Sequence, residues 1–434
     1  MYLVLFVVFL SLFRPPSVLC DKIPSLFQEK YGSDTMENRI EYIGSLGMFG
    51  LPAGLDRMKK VLSLLGNPQN NFKAVHIAGT NGKGSVTEMV SSALINSGKK
   101  VGRYISPHIL DFTERIRIGK ENIPYETLDR LSNMIDNTGV KLTEFEYITC
   151  IAFLYFSENK IDIAVVETGL GGRFDATNSL TNKSVAVITK IGLDHTSVLG
   201  NTIGEIAAEK CGIINCDYTV SSPNQPYDAL KCIKEKSKNL VLPSLDNLKI
   251  TSCDIWGNKF IYKGQEYETA MPGEYQIENV LVAIETLSLI GADVTSLAVK
   301  EGIKAATMPA RLQVVSKNPL IVVDGAHNPD GARVLAKSLQ AMNGVTAIVG
   351  VMADKDYKSV LDITLKFANR VICVTPSKKG RSLKASELAR ESEKYCKTFV
   401  AESGKAALEL AKSFNDPIFI YGSLYLASDM LKIL

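Results

Sequence analysis

The sequence predicts an α/β protein in which a P-loop-containing, doubly wound central domain is followed by a smaller, Rossmann-like α/β domain. Short apolar runs alternate with segments of helical periodicity along most of the chain. A glycine-rich turn that carries a lysine follows one of the first of these runs. At 434 residues the chain is also too long for one ordinary core. We expect one domain over residues 36–308 and a second over residues 309–434.

The first 35 residues do not fit this pattern. Residues 2–13 are an apolar run that is too short to span a bilayer, and no Lys or Arg precedes it, as a signal peptide would require. An amphipathic helical pattern begins only near Met36. We interpret residues 1–35 as an apolar leader outside the fold, arising from a start-site artefact, and expect a cytoplasmic protein. Export stays open on this argument.

The amino-acid composition excludes some classes of function for this protein. Hydrophobic residues at 46% and charged residues at 22% are typical of a globular protein, and a net charge of +3 argues against a dedicated nucleic-acid surface. The eight cysteines are scattered without CxxC pairs or metal-knuckle spacing, so we expect reduced thiols. Neither nucleic acid nor a membrane is expected as a partner.

The segment from Lys73 to Gly98 carries most of the prediction. An apolar run, Ala74–Ala78, leads into Gly79–Ser85 (GTNGKGS), and apolar residues then recur at helical spacing. Glycines let backbone N–H groups approach an anion, the start of the helix adds a partial positive charge, and Lys83 adds a full one. Because Gly84 intervenes, the hydroxyl comes one residue later than in the usual P-loop. The segment nonetheless predicts a phosphate site.

The remaining elements of the first domain follow in order. Two helices are predicted over residues 36–66, separated by a turn at Phe49–Pro52. The next predicted elements are strands at 100–105, 161–167 and 184–190, helices at 124–137, 145–159 and 202–213, a strand and a helix reaching 238, β-hairpins within 248–270, and helices at 275–290 and 294–306.

Beyond Met308–Arg311, where we place the domain boundary, strands and helices alternate again. The predicted strands are 319–324, 345–351, 370–375, 397–401 and 417–421, and the helices between and after them are 330–342, 356–367, 385–395, 404–414 and 424–433. This alternation predicts a second doubly wound sheet.

Three polar residues of the first domain, Ser106, Glu167 and His195, each follow an apolar strand. Because the carboxyl ends of parallel strands meet at one edge of a sheet, we expect them to lie near the phosphate loop. A hard cation such as Mg²⁺ accepts hydroxyl and carboxylate oxygens and tolerates one imidazole. Lys210 lies on a helix that should return to this edge, although a solvated helix lysine is the simpler interpretation.

The second domain offers comparable positions. Asp324 and His327 follow the apolar strand PLIVV, and Arg311 lies at the linker, from which it could reach a phosphate or a ribose. Ser423 follows another apolar strand, where a helix N-cap explains it almost as well as a ligand does.

Nine motifs occur in a specific order: GTNGKGS, SPHI…ERIRI, FEY, ETGLGGRFDATN, DHTSVLG, EKCGI, MPARLQ, DGAHNPDGA and YGSLY. This ordered set resembles the folylpolyglutamate synthase/dihydrofolate synthase family, which belongs to the Mur-ligase-like superfamily of ATP-dependent amide-forming ligases. The resemblance runs from about Met36 to Leu434. The sequence departs from the family pattern at Cys211, where alanine is commoner, and in its leader.

The resemblance implies a monomeric ligase that joins L-glutamate to the carboxylate of reduced folates, and of dihydropteroate, through an acyl phosphate, releasing ADP and phosphate. It implies ATP contacts at Asn81, Gly82, Lys83, Gly84, Ser85, Asn279, Arg311 and Asp324. It implies folate or pteroate contacts at Thr143, Glu144, Phe145, Glu146, Phe174, Asp175 and Ala176, and glutamate contacts at His327 and Ser423. It implies two Mg²⁺ sites formed by Ser106, Glu167, His195 and a carbamylated Lys210, with Lys83, Lys210 and His327 in catalytic roles.

Three other interpretations stay open. The chain could be another Mur-type amino-acid ligase acting on a peptidoglycan precursor, which the SPHI and FDATN segments disfavour. It could be a P-loop kinase or hydrolase, or a non-catalytic nucleotide-binding or membrane-tethered protein, an idea that depends only on the leader. The sequence does not tell whether both folate activities are present.

Overall fold

The structure, a computed structural model, describes residues 36–47, 54–378 and 380–434. The leader at 1–35 and the turn expected at Phe49–Pro52 lie outside these residues. The helices are α1 Met36–Ser45, α2 Asp56–Leu64, α3 Lys83–Asn96, α4 Tyr125–Asp136, α5 Glu144–Glu158, α6 Thr196–Leu199, α7 Ile203–Lys210, α8 Tyr227–Lys236, α9 Glu274–Leu289, α10 Leu297–Ala305, α11 Pro329–Gln340, α12 Tyr357–Thr364, α13 Ala385–Ser392, α14 Gly404–Lys412 and α15 Leu424–Leu431. The strands are β1 Lys73–Ala78, β2 Val101–Tyr104, β3 Ile116–Ile118, β4 Glu121–Asn122, β5 Ile163–Glu167, β6 Lys183–Ile188, β7 Tyr218–Ser221, β8 Asn239–Val241, β9 Leu248–Asp254, β10 Gly257–Tyr262, β11 Gln265–Thr269, β12 Gln313–Lys317, β13 Leu320–Val323, β14 Val345–Val349, β15 Ala368–Cys373, β16 Lys397–Val400 and β17 Ile418–Tyr421.

The described part of the first lobe is built on an eight-stranded sheet in the order β4-β3-β2-β5-β1-β6-β7-β8. Strands β2, β5, β1, β6, β7 and β8 run parallel, and β3 and β4 add an antiparallel edge. Side chains of β1 alternate between two cores, because successive residues of a strand point to opposite faces. Ala74 packs among residues of α1, α2, α4 and α5, while Val75 and Ile77 pack among those of α3, α9 and α10. Helices therefore cover both faces, which confirms the doubly wound prediction.

The hairpins predicted within 248–270 form a small antiparallel sheet, β11-β10-β9. Its Phe260, Tyr262 and Tyr267 are buried in the same core as α9 and α10. The small sheet thus covers these helices from outside.

The second lobe is built, within the described residues, on a six-stranded sheet in the order β12-β13-β17-β14-β15-β16. Five of these strands are parallel and match the predicted positions within a few residues. The edge strand β12 pairs antiparallel with β13 and was not predicted. The boundary expected near Met308–Arg311 falls in the connection between α10 and β12.

The topology brings the functional candidates together in two groups. In the large sheet β2, β5, β1 and β6 are consecutive neighbours, so the segments after them, including the phosphate loop, share one edge. In the small sheet β13 and β17 are neighbours, which brings the segments after Val323 and Tyr421 side by side.

Candidate active site

The phosphate loop joins β1 to α3. Gly82 immediately precedes α3 with φ of +90°, a left-handed conformation that favours glycine. A Cβ at Gly82 would lie 2.4 Å from Oδ1 of Asn279, so α9 approaches the loop backbone directly. Lys83 is the first helical residue, and its Nζ lies 3.4 Å from the carbonyl oxygen of Thr80. The loop therefore curls around its own lysine at the positive end of a helix.

The connection after β6 braces this loop. The N–H groups of Thr80 and Asn81 both donate to the carbonyl oxygen of Lys190, at 2.9 and 3.1 Å. The Thr80 hydroxyl accepts from the N–H of Gly192 at 3.1 Å and lies 3.0 Å from its carbonyl oxygen. The phosphate loop and the segment leading to Asp194 and His195 are thus held together.

A polar chain that sequence reasoning missed links the loop to α9. The buried Ser85 hydroxyl accepts from Nε2 of Gln276 at 3.2 Å, and Oε1 of Gln276 accepts from Nδ2 of Asn279 at 2.9 Å. Gln276 precedes the predicted Asn279 by three residues, the spacing that places two side chains on one helix face. That spacing was the signal that could have identified it.

Glu167 ends β5 and its side chain is buried. Its Oε2 lies 3.5 Å from the N–H of Ser106, so the structure brings these two predicted metal ligands together. Burial raises the pKa of Glu167 to about 7, opposed by the positive charges of Lys83 and Arg311 and by the Ser106 N–H group. A further cation stabilises the charged form of a carboxylate whose pKa burial has raised. The position of Glu167 therefore fits a divalent metal.

Lys210, the last residue of α7, is also buried. Its Nζ donates to the carbonyl oxygen of Gly79 at 2.8 Å, which places the amine on the phosphate loop rather than in solvent. Burial, together with the charge of Lys83, lowers the pKa of Lys210 to about 7. The interpretation of Lys210 as a solvated helix lysine is therefore wrong.

His195 has a left-handed backbone, with φ of +48°, and its side chain is 51% exposed. Its Nε2 lies 3.7 Å from Oδ2 of Asp194. Burial lowers its pKa, and Lys83 and Lys210 contribute to that shift. The positive charge of Lys83 therefore acts on Glu167, His195 and Lys210 alike.

Within residues 36–47, 54–378 and 380–434, no group of three or more His, Cys, Asp and Glu side chains is placed to hold a metal ion. A cation at this edge would therefore depend on the Ser106 hydroxyl, on a modified Lys210 or on phosphate oxygens.

The first predicted folate segment, 143–146, is partly used by the fold. Thr143 caps α5 in a reciprocal pair with Glu146, whose carboxylate also lies 2.8 Å from Nη2 of Arg57. Phe145 stacks on Tyr104 with ring centroids 5.8 Å apart. A Cβ at Gly169 would lie 2.6 Å from the Phe145 ring, so Phe145 borders the segment after β5, and its contact with a folate stays a prediction. Oε1 of Glu144 lies 3.3 Å from Nη1 of Arg115, the residue that directly precedes β3.

The second folate segment has one exposed member. The Phe174 side chain is 53% exposed, whereas Asp175 and Ala176 are buried. The Asp175 carboxylate accepts from the N–H groups of Gly169 and Leu170 at 3.0 and 2.9 Å. An exposed ring on a braced loop suits stacking against a flat aromatic ligand.

In the second lobe the Asp324 carboxylate is buried and accepts from the N–H groups of Leu312 and Ala326 at 2.8 Å each. The guanidinium of Arg311 opposes the upward pKa shifts of both Asp324 and Glu167. The charge of Arg311 thus acts on a carboxylate of each lobe, and its contact with a phosphate or a ribose stays a prediction.

His327 and Ser423 occupy neighbouring positions in this lobe. Nδ1 of His327 donates to the carbonyl oxygen of Gly325 at 2.8 Å, in the tautomer that this contact requires. The Ser423 hydroxyl accepts from the N–H of Leu426 at 3.0 Å and caps α15. Ser423 thus has the structural role that the sequence allowed, and its contact with glutamate stays a prediction.

The two lobes meet across this edge. A Cβ at Gly192 would lie 3.6 Å from Oδ2 of Asp330 in the second lobe. The charge of Lys355, in the loop after β14, contributes to the lowered pKa of both His195 and His327. Lys355 was not predicted, although it follows a strand end as Asp324 does, and the same reasoning could have found it.

A cavity of about 470 Å³ opens elsewhere, beside the amino ends of β1, β5 and β6, where Lys73, Asp162 and Asn182 line it. It lies at the opposite end of the strands from the phosphate loop. The candidate site is therefore the cleft at the carboxyl edge and not this cavity.

Comparisons with known proteins show which families this chain resembles. Residues 77–287 match the Mur ligase middle domain, and residues 310–424 match the Mur ligase glutamate ligase domain. The folylpolyglutamate synthase of Lacticaseibacillus casei is 35% identical over 91% of this chain and 97% of its own length. The chain belongs to the folylpolyglutamate synthase/dihydrofolate synthase family. As a member of this family of Mur ligases it is an enzyme that forms carbon–nitrogen bonds.

Solved structures of the family extend the comparison. Escherichia coli FolC in complex with DHPP and ADP has a TM-score of 0.82 at 28% identity, covering 92% of this chain and 98% of its own. The bifunctional folylpolyglutamate synthase/dihydrofolate synthase of Yersinia pestis, complexed with AMPPNP and an Mn ion, has a TM-score of 0.81 at 28% identity, with the same coverage. The resemblance and the fold predicted from the motifs are confirmed.

A membrane-tethered form had been one of the open alternatives. Every helix within 36–47, 54–378 and 380–434 is too short or too polar to span a bilayer.

Proposed function

We propose that this protein is an ATP-dependent ligase that adds L-glutamate to the carboxylate of reduced folates and of dihydropteroate. The proposal depends on three contacts with the phosphate loop. Nζ of Lys210 donates to the carbonyl oxygen of Gly79 at 2.8 Å, a Cβ at Gly84 would lie 3.5 Å from Oε2 of Glu167, and the N–H of Gly192, in the segment that leads to His195, donates to the Thr80 hydroxyl at 3.1 Å. The relatives bound to ADP, AMPPNP, Mn and DHPP support nucleotide, divalent metal and a pterin-type ligand here.

A carboxylate is a poor electrophile, so the first step attaches the γ-phosphoryl group of ATP to it. A substrate carboxylate oxygen attacks the γ-phosphorus, and ADP leaves with the electrons of the broken P–O bond. Such a transfer needs positioning and charge neutralisation more than covalent help from the protein. Lys83, at the start of α3, supplies a fixed positive charge against the phosphates.

We propose that Ser106, Glu167, His195 and a carbamylated Lys210 hold Mg²⁺ at two sites, where the metal would neutralise the charge of the triphosphate. Carbamylation requires a neutral amine to attack CO₂, and the pKa of Lys210, lowered to about 7, supplies a large neutral fraction at physiological pH. Retention of ¹³CO₂ on Lys210, read by mass spectrometry and NMR, tests this modification. A wholly unmodified lysine in the active enzyme contradicts it.

The second step forms the amide. The amine of glutamate attacks the acyl carbon and phosphate leaves, so water must be kept out of the cleft. Asp324, Arg311 and His327 lie on the lobe that faces the phosphate loop and support a role in closing over the nucleotide and admitting glutamate. Because one chain supplies both sides of the cleft, we propose that the enzyme works as a monomer.

The test is ADP release with dihydropteroate or tetrahydrofolate, each with and without glutamate. The proposal predicts release that needs both an acid and glutamate, with a glutamylated product. Release that ignores both would instead identify a P-loop hydrolase. Activity with a peptidoglycan precursor and no folate would identify another Mur-type ligase.

A further inference from the structure

A polar network on the face of the large sheet links two parts of the proposed site. Lys183, the first residue of β6, is buried although it carries an amine. Its Nζ donates to Oδ1 of Asn178 at 2.6 Å and to the carbonyl oxygen of Ile213 at 3.1 Å. One side chain thus reaches both the segment after the predicted folate contacts and the turn after Lys210.

The amide nitrogen of Asn178 completes the link between the two segments. Its Nδ2 donates to the carbonyl oxygen of Arg173 at 3.0 Å and to that of Gly212 at 3.1 Å. Asn178 therefore closes the loop 173–178 on itself and ties it to the turn at Cys211–Ile213. Asn178 is half-buried, and its amide is oriented because both its oxygen and its nitrogen are used.

The two backbones also touch directly. The N–H of Arg173 donates to the carbonyl oxygen of Glu209 at 2.8 Å. A Cβ at Gly172 would lie 2.7 Å from the carbonyl oxygen of Lys210, and one at Gly212 would lie 2.4 Å from Cα of Arg173. The contact leaves no room for a side chain at either glycine, and one backbone hydrogen bond joins the two segments.

We propose that Lys183 and Asn178 are positioning residues that hold the predicted folate-binding loop and the end of the Lys210 helix as one rigid block. The inference depends on the proposed function for the roles of Phe174 and Lys210, but the rigidity itself does not. The consequence for catalysis is that a ligand resting on Phe174 is held at a fixed distance from the amine that contacts the phosphate loop.

The network explains why a lysine is tolerated at this buried position. A buried ammonium group is costly unless its donors are used. Burial lowers the pKa of Lys183 to about 7, opposed by Cys216 and Asp175, and the amide oxygen of Asn178 and the carbonyl oxygen of Ile213 accept from the amine. A methionine would fill the same volume without bridging the two segments.

Hydrogen–deuterium exchange of the whole chain tests the block without any substrate. In Lys183→Met and in Asn178→Ala we expect the amides of 172–178 and of 209–213 to exchange about tenfold faster together, because a tenfold change corresponds to the loss of about one hydrogen bond. Lys183→Arg should restore most of the protection. Lys238→Met is the matched control, because its amine is exposed and pairs only at the surface with Asp217.

Kinetics with the same variants test the positioning role. We expect the KM for the folate substrate to rise about tenfold in both variants while the KM for ATP stays within about twofold. Faster exchange in only one of the two segments, or uniform loss of protection over β1, β5 and β6, would overturn the proposal. Equal loss of kcat with unchanged KM values would do so as well. Absence of ligase activity in the wild type would instead count against the proposed function and leave the exchange test intact.

Discussion

At the scale of single residues, the site works through charges that burial has shifted. Glu167 and Lys210 have ordinary pKa values on opposite sides of neutrality, and burial brings both to about 7. Each is thus held near the point where it can change protonation state at physiological pH. The positive charge of Lys83 opposes the rise in the pKa of Glu167 and adds to the fall in the pKa of Lys210.

Removing the positive charge of Lys83 should stop the reaction without unfolding the protein. We expect Lys83→Ala to lower kcat at least about 100-fold, because a fixed donor against a transferring group commonly contributes that much. The thermal unfolding midpoint should be nearly unchanged, since the contact of Lys83 Nζ with the Thr80 carbonyl oxygen is long, at 3.4 Å, and lies within its own loop. Near-normal turnover in this variant would remove Lys83 from the mechanism.

His76 gives a separate prediction about pH and stability. It lies on β1, fully buried, with Nε2 2.8 Å from Oγ1 of Thr177, and burial holds its pKa well below the ordinary 6.5. Below pH 6.5 the unfolded chain therefore binds a proton at His76, whereas in the folded chain this histidine stays neutral. Stability from this residue is complete above pH 6.5 and is lost as the pH falls, by up to about 1.4 kcal/mol per pH unit.

Denaturant unfolding of wild type and His76→Gln between pH 7.5 and 5 measures this contribution. The wild type should lose stability more steeply than the variant as the pH falls. Parallel curves would mean that His76 takes up its proton in the folded state.

At the scale of elements, the same helix supplies a test and its control. Gly82 and Gly98 flank α3 and both have left-handed φ, at +90° and +81°. A Cβ at Gly82 meets Asn279, whereas no described atom lies within 4 Å of a Cβ at Gly98. Backbone strain of about 1–2 kcal/mol is common to both substitutions, and only the first disturbs the nucleotide loop.

We expect Gly82→Ala to raise the KM for ATP at least about tenfold, since moving Asn279 at a cost of about 1.4 kcal/mol has that effect. Gly98→Ala should lower stability by a similar amount and leave the KM for ATP unchanged. Equal KM values for ATP in the two variants would mean that Asn279 has no part in nucleotide binding.

Elements are also where sequence reasoning was strongest. Parallel strands such as β5 and β14 are continuous apolar runs that a pattern detects, and strand ends point to the site. Edge strand β12 was missed because its residues are only half-buried, so it has no apolar run. The helix predicted to Ile213 ends at Lys210, because the last turn tightens into a 3₁₀ turn at Cys211–Ile213.

Contacts between distant residues were beyond the sequence. Nothing in its pattern pairs Ser85 with Gln276, 191 positions away, or Lys183 with Ile213. The left-handed backbone of His195 could not be predicted either, since few residues other than glycine adopt it. Only strand order and packing determine these contacts.

At the scale of the whole molecule, the account requires the two lobes to face each other. Lys355 of the second lobe lowers the pKa of His195 in the first lobe and of His327 in its own. We expect Lys355→Met to raise both values, because removing a nearby positive charge favours the protonated imidazole. The four histidines can be followed by NMR titration, and His108, whose shift has other causes, is the internal control.

A shift confined to His327 would mean that the lobes do not meet in this way. A rise in the pKa of His195 as well would support a cleft that is formed by both lobes.

The central claim is that ATP activates a substrate carboxylate in this cleft. The direct measurement uses dihydropteroate labelled with ¹⁸O in its carboxylate, together with ATP and glutamate, and mass analysis of the phosphate released. Because a carboxylate oxygen bonds to the γ-phosphorus and leaves with it, the account predicts one ¹⁸O atom in each phosphate per glutamylated product. Phosphate without label, formed at the rate of the product, would contradict the acyl-phosphate route.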